Sequence, residues 1–129
     1  MFLPHDVPDF NGRGLGELPR LLMADAGVAF DDVRLEDIEF LKPVLPFGQV
    51  PLYEEGDFKL VQSAAISRYL ARMTGLYGSC PQTDGEIDMV VDGVTDIRAK
   101  VYALESVAAD KKVPCSAAIG TRESSEAII

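Results

Sequence analysis

The chain holds one histidine, His5, and two cysteines, Cys80 and Cys115, in 129 residues. A single imidazole cannot build a histidine metal cluster. It could complete a Ser–His–Asp unit only if tertiary structure brought the partners to it. His5 lies between Pro4 and Asp6, in a terminal stretch expected to be mobile. Two thiols 35 positions apart match no zinc spacing, and no C-x-x-C occurs. Two reduced thiols are the expected state, with Cys115 exposed in a poorly patterned tail; a Cys80–Cys115 disulfide stays open. No run approaches the roughly 18 apolar residues of a membrane span. The opening Met1 to Asp6 lacks a basic segment followed by a long apolar one, which argues against a secretory signal. Cations are scarce as well. Twelve Lys and Arg face twenty-one Asp and Glu, for a net charge of −9. Such a chain repels phosphate backbones, so nucleic acid is not an expected partner. The acid is not confined to a tail, because residues 1–78 and 79–129 are both net negative. A cytoplasmic protein is expected, or an organellar one if an upstream targeting segment precedes this numbering.

What is present suits one compact domain: 47% hydrophobic residues for a core and 26% charged residues for a surface. Phe10 to Gly14 reads as a turn-prone break. Leu15 to Ala26 reads as a helix with Leu18, Leu21, Leu22 and Ala26 on one face and Gly27 as its stop. Pro19 falls in the first turns, where a missing N–H does little harm. Val28 to Leu35 alternates like a strand, and Glu36 to Pro43 is short and irregular. Val50 to Tyr53 and Phe58 to Val61 predict a hairpin around Glu54-Glu55-Gly56-Asp57. Ser63 is placed to cap the next helix, whose buried face is Ala65, Ile66, Tyr69, Leu70 and Met73, with Gly75 at its end. A first strand is expected within residues 3–10, weakened by Pro4 and Pro8. Leu76 to Asp84 reads as a linker. A long helix follows from about Gly85 to Ala108, with Ile87, Val90, Val91, Val94, Ile97, Val101 and Leu104 as an apolar stripe.

Four stretches, in order, carry a resemblance to a known family. They are Phe10–Gly14, Leu45-Pro46-Phe47-Gly48-Gln49-Val50-Pro51, Gln62–Leu70 and Ile87–Lys100. Together they resemble the cytosolic glutathione transferases, closest to the sigma-like class. The resemblance implies an α/β fold: a thioredoxin-like domain with a mixed four-stranded sheet over residues 1–78. A linker at 79–83 then leads to the start of an all-α domain, truncated here, at 84–129. Glutathione is the implied ligand, with no metal.

The resemblance also assigns a site. Val50-Pro51 looks like the family's cis-proline dipeptide, which would turn the Val50 main chain toward the cysteinyl part of glutathione. Gln62 and Ser63 would start a helix whose N-terminus takes the γ-glutamyl carboxylate. Lys42 matches a lysine that meets the glycyl carboxylate, and Gln49 is compatible with binding there. Asp96 matches an aspartate that reaches the neighbouring subunit's glutathione in a homodimer. Ile38 stands where many relatives have tryptophan, and Leu15 where several carry arginine near the site.

Position 9 departs from the pattern. Sigma-like enzymes have a tyrosine directly before Phe-Asn, whose hydroxyl holds the glutathione thiolate ready for attack. This chain has Asp9, so no catalytic residue is secure. A carboxylate beside a developing thiolate would raise the thiol pKa. The apolar stripe, short of its usual helical domain, is expected to face another subunit or a protein partner. Two functional readings follow. The first is a catalytically degenerate, glutathione-transferase-like binding or structural subunit of a larger assembly. The alternative is an active transferase joining glutathione to small electrophiles.

Overall fold

The computed structural model describes residues 5–111, with side-chain surroundings as far as residue 104. The first extended segment is cut by Val7-Pro8, since Pro8 has no N–H to give a ladder. It forms β1 (His5–Asp6) and β2 (Asp9–Phe10). The segment 31–35 runs parallel to it. Val7 N–H donates to Asp31 O at 3.0 Å and Asp9 N–H to Val33 O at 3.0 Å. Only Arg34–Leu35, here β3, is regular strand, shorter than the expected Val28 to Leu35. β4 (Leu52–Glu55) and β5 (Phe58–Val61) form the hairpin, with Gly56 at φ 59° in its turn. A positive φ is strained for most side chains, which explains glycine there. β1 pairs antiparallel with β4, and β2 parallel with β3. The spatial order is therefore β3, then β1 and β2 end to end, then β4, then β5: a mixed four-stranded sheet.

α1 (Glu17–Asp25) begins after Gly16. Its buried residues are Pro19, Arg20 and Met23, while Leu18 and Leu21 are exposed. This corrects the expected face: an arginine is inside because acidic partners meet it there. α2 (Ser63–Thr74) ends at Gly75, φ 74°. It buries Ile66, Ser67, Leu70 and Ala71, and leaves Ala65 and Met73 exposed. Ser63 is the helix's first residue, not its cap; Gln62 holds the cap position. Val7, Met23, Tyr53, Ile66 and Leu70 form the core between sheet and helices.

His5 also departs from expectation. It is 7% exposed, stacked on Tyr53, with Nδ1 2.8 Å from the Tyr53 hydroxyl. Both Tyr53 and Tyr69 donate to Glu55 Oε2, at 3.1 and 2.9 Å. The lone histidine is thus a satisfied core group that ties β1 to β4 and, through Glu55, to α2.

α3 (Pro81–Lys111) starts four residues before the expected Gly85 and takes in the last part of the expected linker, Pro81 to Asp84. Proline suits a first helical position. Thr83 Oγ1 accepts the N–H groups of Ser79 and Cys80, at 3.1 and 3.2 Å, and so caps the turn. Hydrogen bonds from Thr83 and from the Gln82 main chain hold the exposed Cys80 thiol below its usual pKa, with Asp84 opposing. The chain forms two compact units, 1–87 and 88–129. In the second, Val90, Val94, Ile97, Val101 and Leu104 are exposed and Val91 is half-buried. Ile87, the last residue of the first unit, is half-buried. Cys115 and the expected loose tail lie outside the described residues. No described helix is long and apolar enough to cross a membrane.

Candidate functional site

Strand register assembles one end of the sheet. β1 and β4 pair His5 with Glu55 and Asp6 with Glu54, and Leu52 N–H donates to Pro8 O at 3.1 Å. Asp9 and Phe10 follow directly after Pro8, at the end of β4 where Pro51 enters it. On the other side Leu52 pairs with Val61, so β5 ends where β4 begins, one residue before Gln62. Three chain segments far apart in sequence thus end side by side.

The Val50–Pro51 bond is cis, in agreement with the sequence reading. β4 begins only at Leu52, because Pro51 has no N–H for a ladder. No hydrogen bond is made by the Val50 main chain among the described residues, so its N–H and C=O remain open to a ligand. Gln62 has φ 73° and ψ 109°, a conformation a non-glycine residue holds at a cost of about 1–3 kcal/mol. That kink turns the chain from β5 straight into α2, which opens at Ser63, two residues after the partner of Leu52. The first N–H groups of a helix have no internal partner, and its dipole favours an anion.

The remaining assigned residues are placed less tightly. Lys42 sits in a 3-10 turn, Lys42–Val44, and its Nζ pairs with Glu39 Oε1. Gln49 is exposed in the loop before Val50. Ile38 is half-buried and Leu15 exposed. Asp96 is exposed on α3, in the second unit. Among the described residues, no group of three or more His, Cys, Asp or Glu could hold a metal ion.

Asp9, at the position of the family's tyrosine, has surroundings that the sequence does not show. It is 4% exposed and not an open carboxylate. Oδ1 accepts Phe10 N–H at 2.8 Å; Oδ2 accepts Gly16 N–H and Arg20 Nη2, both at 3.1 Å. Arg20 is 5% exposed. Its Nε donates to Asp32 Oδ1 at 2.8 Å, and its Nη1 to Glu17 Oε2 at 3.3 Å and Gly12 O at 3.4 Å. Arg34 joins from the strand side, donating to Asp32 and, at 2.9 Å, to Gly12 O. The loop from Phe10 to Gly16 is therefore fastened to α1 and the sheet by charge-assisted bonds. Sequence reasoning passed over Arg20. The available signal was a cation inside an apolar helical run, with Asp31-Asp32 in the adjacent strand.

Gly16 is required by that pair. A Cβ there would lie 2.3 Å from Asp9 Oδ2 and 3.1 Å from Arg20 Nη2. Gly16→Ala is expected to cost about 1–3 kcal/mol by overpacking, read as a lower urea midpoint with unchanged slope. Gly12→Ala, whose Cβ meets nothing within 4 Å, is the control.

Comparison with known proteins agrees with this geometry. The sequence pattern of "Glutathione S-transferase, N-terminal domain" matches residues 7–72. Glutathione S-transferase 1 of Ascaris suum is 48% identical over 94 residues, covering 71% of this chain and 46% of that protein. Hematopoietic prostaglandin D synthase of Gallus gallus is 44% identical over 89 residues, covering 67% of this chain and 45% of that protein. The crystal structure of the glutathione S-transferase from Ascaris lumbricoides superposes with a TM-score of 0.76 at 43% identity, covering 83% of this chain and 53% of that one. The chain spans about half the length of these relatives, at 45–53%. With the domain pattern matched over residues 7–72 and the fold in accord, the chain belongs to the cytosolic glutathione S-transferase family.

Proposed function

We propose that this protein binds glutathione at the sheet end formed by Val50, Pro51, Gln62 and Ser63, and presents its thiolate to a small electrophile. The observation that carries the reading is the unpaired main chain of Val50 at the cis step into β4, with α2 opening just past the paired end of β5. An extended cysteinyl residue pairs with the Val50 N–H and C=O as a short antiparallel strand. The γ-glutamyl carboxylate takes the Ser63 hydroxyl and the first N–H groups of α2. Lys42, once released from Glu39, and Gln49 meet the glycyl end. Asp96 reaches glutathione across a homodimer. In the reaction a sulfur–carbon bond forms, the leaving group departs from carbon with the bonding pair, and the thiol proton passes to water. This is the alternative reading of the sequence. The relatives' names support it, since they describe transferases and a synthase. The structural-subunit reading drew on the tyrosine replaced by Asp9 and on the apolar stripe of the long helix; the Arg20 pair answers the charge of Asp9 but supplies no hydroxyl.

Calorimetric titration with glutathione, and turnover of a generic aryl halide electrophile in the same sample, test the proposal. Saturable binding with turnover is expected. Ser63→Ala should weaken binding by roughly 10- to 100-fold, the loss of one charge-assisted hydrogen bond. A folded wild-type chain that releases no heat with glutathione would refute the site.

A further inference from the structure

We propose that Arg20 is a positioning residue for the reacting sulfur: it neutralises Asp9 and fixes the course of Phe10–Gly16 beside the Val50 edge. The inference rests on the glutathione reading above and deepens it. Asp9 directly follows Pro8, whose carbonyl accepts Leu52 N–H at 3.1 Å, so it lies at the sheet end where the Val50–Pro51 step enters β4 and the cysteinyl residue would bind. A bare carboxylate at that place opposes ionisation of a thiol. Asp9 is not bare. Arg20 Nη2 meets its Oδ2 at 3.1 Å, and both side chains are 6% exposed. Water screens such a pair weakly, so the two charges cancel at short range and act on the sulfur as a dipole.

The same guanidinium also holds Gly12 O and Asp32, so it fixes the loop and the charge together. Arg20 need not touch glutathione to do this. Its effect passes through Asp9 and through the main chain of Phe10–Gly16.

A merely structural salt bridge and a positioning pair differ in the sign of what their variants do. Arg20→Gln leaves the Asp9 carboxylate uncompensated, so the thiol pKa of bound glutathione should rise by about one pH unit. Asp9→Asn removes one of the three carboxylates around Arg20 and makes the charge nearest the site less negative, so the thiol pKa should fall. Asp9→Asn/Arg20→Gln should return it close to wild type. The readout is the pH profile of kcat/KM for the electrophile at saturating glutathione, checked by the ultraviolet absorbance of bound thiolate. S-Methylglutathione, which has no ionisable thiol, should bind all folded variants as it binds wild type.

Shifts of opposite sign, cancelling in the double variant, are the expected result. Shifts of the same sign, or none, in folded variants that still bind S-methylglutathione would overturn the inference and leave the glutathione reading intact. If Arg20→Gln does not fold, Asp9→Asn against the double variant carries the same comparison. A wild-type chain that binds neither glutathione nor S-methylglutathione would instead bring down the reading on which the inference rests.

Discussion

Replacing Arg20 with methionine should lower the free energy of unfolding by about 3–5 kcal/mol. Methionine keeps much of the length of the arginine stem but none of the donors. It leaves the buried Asp9 without a cation, while Asp32 keeps only Arg34. The cost is the uncompensated burial of charge rather than the worth of a salt bridge, which explains its size. Arg34→Met is the internal comparison. That guanidinium also bonds Asp32 and Gly12 O, but its side chain is 33% exposed. Its loss should cost at most about 1 kcal/mol. Urea unfolding followed by circular dichroism measures both. Equal costs would mean that burial does not set the energetics here. Set against a typical total stability of about 5–15 kcal/mol, Arg20→Met threatens the fold itself, so it should be studied at low temperature.

The second large effect is expected at Tyr53. Its side chain has no exposure and packs among His5, Phe58 and Tyr69 as well as the core. Tyr53→Ala should cost about 3–5 kcal/mol through the cavity and lost contacts. Tyr53→Phe keeps the ring and isolates the hydroxyl, which stands between His5 and Glu55; about 1–2 kcal/mol is expected for it. The phenol also gives a pH signature. Burial, and then the hydrogen bond to the Glu55 carboxylate, push the Tyr53 pKa far above its ordinary value. Burial and Glu55 raise Tyr69 in the same direction. A group with a raised folded-state pKa binds its proton more tightly in the folded chain. Its contribution is complete below the unfolded pKa of about 10 and is lost as pH climbs from there toward the folded value. The melting temperature should therefore fall steeply above about pH 10, and Tyr53→Phe should flatten that fall. An alkaline slope unchanged by Tyr53→Phe would remove Tyr53 as its source.

The parts of the fold legible in the sequence are those governed by local chemistry. Gly56 marks the hairpin turn and Gly75 the end of α2, because both hold a positive φ. The hairpin strands and the existence of all three helices also followed from spacing, although their limits moved. α3 reached back to Pro81 because proline and Thr83 start a helix better than the linker-like composition suggests. Ser63 yielded the cap position to Gln62, because the kink into α2 needs an unusual backbone, which no propensity announces.

The buried face of α1 and the state of Asp9 were not legible, for one shared reason. Periodicity ranks arginine as a surface residue, and Arg20 is inside because Asp9, Glu17 and Asp32 converge on it. Two of those partners lie 11 and 12 positions away in the chain. His5 is the same lesson on a smaller scale. Its neighbours Pro4 and Asp6 suggest a loose end, yet its partner Tyr53 stands 48 positions away.

The sequence by itself determined the fold class, the family resemblance and the cis Val50–Pro51 step. Those depend on turn residues, on a Val-Pro step and on apolar periodicity, all of which act over a few residues. Only the tertiary structure decided which charges are balanced, which of the segments lie side by side and that position 9 holds a buried counter-ion. Coulomb and desolvation energies depend on distance through space and on exclusion of water, and neither is written in the order of residues along the chain.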